Sequence, residues 1–191
     1  LKGMAAAADM LPALMMRGTK QLSRQQLKDA LDKLEASLRA GGGAGSVSFT
    51  LQVPRKNLAE SLGLLRQVLR EPALAEAEFE ILRRETLASY EYMRKEPQVL
   101  ASSAIARRFN PYAKDDVRYQ PSVEEEIERT GKLKLDQVRT LYAEYVGAQA
   151  AELAVVGQFE PDEILPPITA MLQRWRAKMP YARLTYRAAE G

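Results

Sequence analysis

The segment AAAADMLPALMMRGTKQLS, residues 5–23, carries two opposed signals. Its Ala, Leu and Met residues recur as in a buried helix, yet Pro12 stands in the middle. A proline there removes a backbone hydrogen bond and costs about 3 kcal/mol. The pattern predicts a core helix that tolerates a proline, leading into Arg17-Gly18-Thr19.

Downstream, Ser23 with Gln26 forms a capping-box pair, and Leu27, Ala30, Leu31, Leu34 and Leu38 fall on one face, predicting a helix over residues 23–39. The cluster GGGAG, residues 41–45, ends that helix and reads as a flexible connection. SVSFTLQV, residues 46–53, then alternates Val47, Phe49, Leu51 and Val53 with polar residues, the period of a half-buried strand. Helices follow over residues 57–72, 73–97, which holds no internal Gly or Pro, and 98–109, whose Arg107 and Arg108 suit the negative end of the helix dipole.

The loop NPYAKDDVRY, residues 110–119, precedes a short helix with an acidic first turn, PSVEEEIER, and a further helix, LDQVRTLYAEYVG. Asn110-Pro111-Tyr112 and the VEEEIE run read as turn chemistry and capping rather than as a cleft for basic peptides. Tyr142 and Tyr145 read as core packing rather than a ligand platform. AELAVVG, residues 151–157, is a short apolar run that predicts a buried central strand; a helix begins after Pro161, and ARLTYR, residues 182–187, predicts one more strand. Together these predict an α+β domain with helices on one face of a mostly antiparallel sheet. The sheet is undersized for the apolar surface to be covered.

The composition excludes several chemistries. The chain of 191 residues has neither Cys nor His, so it holds no disulfide, no thiolate metal site, no imidazole base and no Ser-His relay. Its 28 basic and 25 acidic residues are interspersed, without the basic stripe of a nucleic-acid binder. The longest apolar stretch, residues 5–16, contains Asp9 and Pro12 and falls short of the roughly 18–20 apolar residues of a membrane span.

The order of landmarks carries more than any one of them. The alanine-rich helix, LMMRGT, the capped helix, the Gly-rich approach to an alternating strand, NLAESLGLLRQVLREP, the long charged helix, NPY and the run from IERTG to LAVVGQFEPDEI occur in series. Over residues 3–175 this series resembles one domain of the pitrilysin/insulinase family of zinc metallopeptidases, the inverzincins, which includes the mitochondrial processing peptidases. In catalytic members the helix before the RGT-like turn carries HxxEH, whose two His bind zinc and whose Glu activates water. The matching positions here read DMLPA, so the histidines fall on Asp9 and Ala13 and the catalytic Glu on Pro12. The third ligand falls at Ser89 or Tyr90, with Tyr90 the better register. None of these positions retains its role, which implies no metal in this chain. Asp9 reads as a solvated or capping carboxylate, and Glu85 and Glu91, the nearest acidic residues to the third-ligand register, as a solvated face. Without ligands to hold, a helix in this place tolerates Pro12 where it packs loosely or kinks.

The resemblance implies more. An Asn-Ala-aromatic stretch opens the strand on which catalytic halves pair substrate backbone. Here those positions are Arg39, Ala40 and Gly41, substrate-binding candidates that depart from the pattern. Family domains begin with strands upstream of the alanine-rich helix, which implies a single domain over residues 1–191, incomplete at its N-terminus, with an exposed sheet edge. The family is built from paired homologous halves, one bearing zinc and one inert. The implied function is that of the inert half, closing the chamber and helping to bind a peptide substrate while a separate HxxEH half supplies zinc and hydrolysis. The alternative is a non-enzymatic scaffold similar to the protease-like core subunits of respiratory complexes. Bacterial relatives of this kind are exported, which implies the periplasm.

Overall fold

The apolar residues of the first segment form α1, Ala5–Met15, in the computed structural model, which describes residues 3–185 and 187. α1 buries Ala7, Ala8, Met10, Leu11, Leu14 and Met15. Pro12 lies within the helix and is itself buried, so the helix accepts it by tight rather than loose packing. Its missing N–H leaves the Ala8 carbonyl without the usual donor four residues on. Burial of neighbours such as Leu11 and Met15, each 0% exposed, offsets this at about 1.5–3 kcal/mol per side chain.

α2, Arg24–Lys33, starts on the capping box read from the sequence: the Gln26 N–H donates to Ser23 Oγ at 3.3 Å, and the Ser23 N–H donates to Gln26 Oε1 at 2.9 Å. It stops six residues before the predicted end. Glu35 adopts φ 51°, the Glu35 N–H donates to the Asp32 carbonyl at 3.0 Å, and the Ala36 N–H donates to the Leu31 carbonyl at 2.9 Å. This is a Schellman ending with Glu where Gly is usual, so no glycine marks it in the sequence.

Leu38 and the first glycines belong instead to β1, Ser37–Gly43, which pairs antiparallel with β2, Ser46–Gln52, in the register Arg39↔Thr50, Ala40↔Phe49, Gly41↔Ser48. The glycine cluster is therefore a strand and hairpin, not a flexible connection. Gly42 has φ +141°, and a Cβ there would lie 2.3 Å from the Ser46 carbonyl oxygen, so only glycine closes the hairpin. Val47, Phe49 and Leu51 pack on the core while Ser46, Ser48, Thr50 and Gln52 are exposed, as alternation predicts.

α3, Leu58–Arg70, α4, Glu76–Met93, α5, Pro97–Arg108, α6, Val123–Lys132, α7, Leu135–Tyr145, and α8, Pro161–Leu172, complete the fold. α1 is its hub, packing on β1 and on α4, α6 and α7, while α3 packs on α8. The architecture is α+β, with helices covering one face of a two-stranded antiparallel sheet. None of the described helices is long and apolar enough to cross a membrane.

Residues 151–156 form no strand, and Leu153, Val155 and Val156 are exposed, Val156 at 96%. A central strand needs hydrogen-bonded neighbours on both edges, and the sheet among the described residues consists of β1 and β2 alone. The apolar run that predicted burial cannot supply those neighbours. Of the second predicted strand, residues 182–185 and 187 are not in strand conformation, and Tyr186 lies outside the described residues.

Candidate functional site

Helical spacing turns Asp9 away from the buried stripe of α1, toward α6. There Arg129 Nη2 donates to Asp9 Oδ2 at 2.6 Å. The same guanidinium holds Glu126, one turn earlier on α6, with Nη2 donating to Oε1 at 2.5 Å and Nε to Oε2. Tyr90, near the end of α4, lies close enough to Glu126 to feel its charge. α1 and α6 thus meet at one guanidinium shared by two carboxylates, with a phenol of α4 close by.

β1 closes one side of this cluster. A Cβ at Gly43 would lie 3.0 Å from Asp9 Oδ1, so the glycine leaves room for the carboxylate beside the strand. Arg39, Ala40 and Gly41 lie further along β1, with Arg39 and Gly41 exposed and Ala40 half-buried. Ser48 Oγ donates to the Gly41 carbonyl at 3.3 Å, and among the described residues no third strand pairs with β1.

The electrostatics follow from partial burial. Asp9 and Glu126 are both raised from the ordinary carboxylate range, because desolvation outweighs the attraction of Arg129. Tyr90 is pushed up to about 12, first by burial and then by the Glu126 charge, so its phenol is a neutral donor. Pro12 is buried and offers no side-chain polar atom, and Ala13 presents an exposed methyl. A site whose two carboxylates, Asp9 and Glu126, are both bound to one guanidinium, beside a neutral phenol, a proline and an alanine, does not fit zinc, which takes several unprotonated N, S or O donors free to ligate. Among the described residues no group of three or more Asp or Glu side chains is placed to hold a metal ion.

The other acidic candidates are placed elsewhere. Glu85 pairs with Arg17, whose guanidinium also reaches Glu78 at 3.2 Å, so the Arg of the LMMRGT run clamps α1 to α4. Glu91 pairs with Arg94 at 2.8 Å. Tyr142 donates from its hydroxyl to the Leu69 carbonyl at 2.9 Å and packs on the core, while Tyr145 is exposed at 36%. In the NPY loop Asn110 Oδ1 accepts from the Tyr112 N–H at 3.1 Å, and Arg118 stacks 4.1 Å from the Tyr112 ring, which is turn chemistry. Glu125 caps α6 and accepts from Lys114, the Tyr119 hydroxyl and the Ser122 N–H, which hold it at about 2.

Sequence reasoning missed Glu126 and Arg129. It treated the whole VEEEIE run as capping, whereas Glu126 faces the cluster. Their spacing of three was the available signal, since it makes an intrahelical pair on one face.

The comparisons with known proteins agree with this fold. The family model described as insulinase, peptidase family M16, matches residues 4–121. No curated protein matches the sequence. Among solved structures, the peptidase M16 inactive domain from Pseudomonas fluorescens superposes with a TM-score of 0.76 at 17% identity, over 93% of this chain and 43% of that one. A protease from Helicobacter pylori superposes with a TM-score of 0.76 at 16% identity, over 98% of this chain and 44% of that one. The periplasmic protease PqqL from Escherichia coli has a TM-score of 0.73 at 14% identity, over 96% of this chain and 21% of its own. The chain therefore spans less than half the length of these structures.

Proposed function

The chain belongs to the insulinase family, peptidase family M16, and from that premise we propose that it is the zinc-less half of a two-part metallopeptidase. Its role is to close a substrate chamber and hold an extended peptide while an HxxEH-bearing half, on the same polypeptide or a separate one, supplies zinc and hydrolysis. The observation that carries this reading is the guanidinium of Arg129 seated between Asp9 and Glu126, which occupies both carboxylates with a cation of the chain's own. Asp9, Pro12, Ala13 and Tyr90 are, on this reading, the degenerate positions of that motif.

β1 supports the peptide-holding part. Its outer edge is open among the described residues, and Arg39, Ala40 and Gly41 lie on it; on this reading they take the place of the family's substrate-pairing residues. An extended peptide added there would gain main-chain hydrogen bonds. A periplasmic location rests on the likeness to Escherichia coli PqqL, a periplasmic protease.

The test uses this chain and an HxxEH-bearing member of the same peptidase family taken from the same genome. Elemental analysis and hydrolysis of an unfolded fluorogenic peptide are followed for the chain alone and for the mixture. The expected result is no zinc and no turnover for the chain alone, with the mixture faster than the homologue alone by at least about tenfold in kcat/KM. Stoichiometric zinc, or chelator-sensitive hydrolysis by the chain alone, overturns the reading. A complex that forms but leaves turnover and peptide affinity unchanged selects the scaffold role instead.

A further inference from the structure

The loop over residues 110–119 holds a distant segment of the chain. Asp116 fixes the Arg118 guanidinium there: Nε donates to Oδ1 at 2.9 Å and Nη2 to Oδ2 at 2.7 Å, and the guanidinium lies 4.1 Å from the centre of the Tyr112 ring. An arginine clamped in this way loses little rotamer freedom when it takes up a ligand. Its Nη1 donates to the Thr185 carbonyl at 2.6 Å. The Tyr112 hydroxyl donates to the same carbonyl at 3.4 Å and accepts from the Arg187 N–H at 2.5 Å. The C=O of one residue and the N–H two residues on share one edge of an extended chain, and a neighbouring strand engages such pairs. Here two side chains engage one.

The residue before Thr185 adds a side-chain contact. Leu184 is half-buried between the exposed Arg183 and Thr185, and it lies against the tip of the β1–β2 hairpin. A Cβ at Gly45 would lie 2.8 Å from Leu184 Cδ1, so the bare glycine, at φ +105°, makes the notch that this side chain fills. Residues 181–185 lie outside helix and strand. Before them the chain is anchored to the end of α7: the Met179 N–H donates to the Glu144 carbonyl at 2.9 Å, and Lys178 pairs with the Glu144 carboxylate at 2.7 Å. Leu184 is therefore tethered five residues beyond Met179.

We propose that the hairpin tip and the loop over residues 110–119 form a peptide-binding groove, that the chain's own Leu184, Thr185 and Arg187 occupy it, and that an added peptide displaces them. The ligand is an extended peptide with an aliphatic side chain for the notch at Gly45. Arg118 and Tyr112 engage main-chain groups, so they place no demand on the side chains that follow. This goes beyond the pairing proposed above and does not rest on it, since every group of the groove belongs to this chain. The tether makes the chain's own segment a competitor. At an effective concentration of ~1 mM and an intrinsic Kd of ~0.1 mM, the groove is open about one-tenth of the time, so an added peptide binds about tenfold more weakly than to an emptied groove.

The experiment titrates a fluorescein-labelled acetyl-ARLTYR-amide, the sequence of residues 182–187, into the full chain and follows fluorescence polarisation. Leu184→Asp in the chain empties the notch, and because Leu184 packs outside the hydrophobic core Tm is expected to stay unchanged. The expected result is that this variant binds the peptide about tenfold more tightly than the parent does. The same peptide with Asp in place of its Leu is expected not to bind. Adding Tyr112→Phe to Leu184→Asp keeps the ring, removes the bridging hydroxyl and is expected to weaken binding about three- to tenfold. In the unmodified chain, excess peptide is expected to move the amide NMR signals of Thr185 and Arg187 to the positions of a free segment; this measurement needs no variant and decides the matter where a substitution disturbs folding. Equal binding by the parent and Leu184→Asp, or no binding by either up to about 1 mM peptide, overturns the proposal. So does a peptide that binds the parent while the Thr185 and Arg187 signals stay in place, since it then sits elsewhere.

Discussion

Replacing Arg129 with Met tests whether the guanidinium ties α1 to α6. The change keeps the apolar stem but leaves Asp9 and Glu126 without their shared cation, 2.6 and 2.5 Å from where its Nη2 stood. Breaking a fully buried pair costs about 3–5 kcal/mol, and an exposed pair is worth about 0–1 kcal/mol. The side chain of Arg129 is 27% exposed and that of Asp9 42%, so the expected loss lies between these limits, at roughly 1.5–3 kcal/mol. For a domain of this size about 2 kcal/mol lowers Tm by about 4–8 °C. Urea unfolding at about pH 7 and about pH 5 reads the mechanism as well as the magnitude. Both carboxylates are already raised in the folded protein, and removing Arg129 raises them further. A carboxyl raised above its unfolded value binds more protons folded than unfolded, so its penalty shrinks as pH falls through the folded value toward about 4. The loss in the variant is therefore expected to be smaller at about pH 5 than at about pH 7. Adding Glu126→Gln to Arg129→Met is expected to recover part of the loss, since it removes one stranded charge. A loss below about 0.5 kcal/mol, or one independent of pH, refutes the reasoning.

Three further outcomes are expected. Glu35→Gly relieves the positive φ at the end of α2 and gives up only an exposed pair with Lys56, so thermal unfolding should show a gain of about 0.5–1 kcal/mol. Gly42→Ala forces a Cβ against the Ser46 carbonyl and should destabilise by more than about 1 kcal/mol in urea titration, with the hairpin amides exchanging faster. Tyr90 and Tyr142, both pushed up to about 12, should ionise only near that pH in ultraviolet titration. A phenol raised on folding contributes stability that is lost as pH rises through its folded value, so alkaline unfolding should accompany that step.

What the sequence determined by itself is what short-range physics writes within a turn or two of chain. The Ser23 box, the alternation of β2, the helical face of α3 and the gap-free α4 depend on neighbours a few residues away, and each is found where the residues predict it. That the chain carries no HxxEH motif is equally legible, because it contains no His at all. Only the tertiary structure decided what depends on distant partners. Asp9 and Arg129 are 120 residues apart, and nothing local to either names the other. The end of α2 at Glu35 and the pairing of the glycine cluster with Ser46–Ser48 required a strand partner to override helical spacing at Leu34 and Leu38. The exposure of residues 151–156 has the same cause in reverse, since an apolar run becomes a buried strand only where other segments offer hydrogen bonds and cover. Periodicity states which face of an element is apolar, while the company that face keeps is settled by long-range packing.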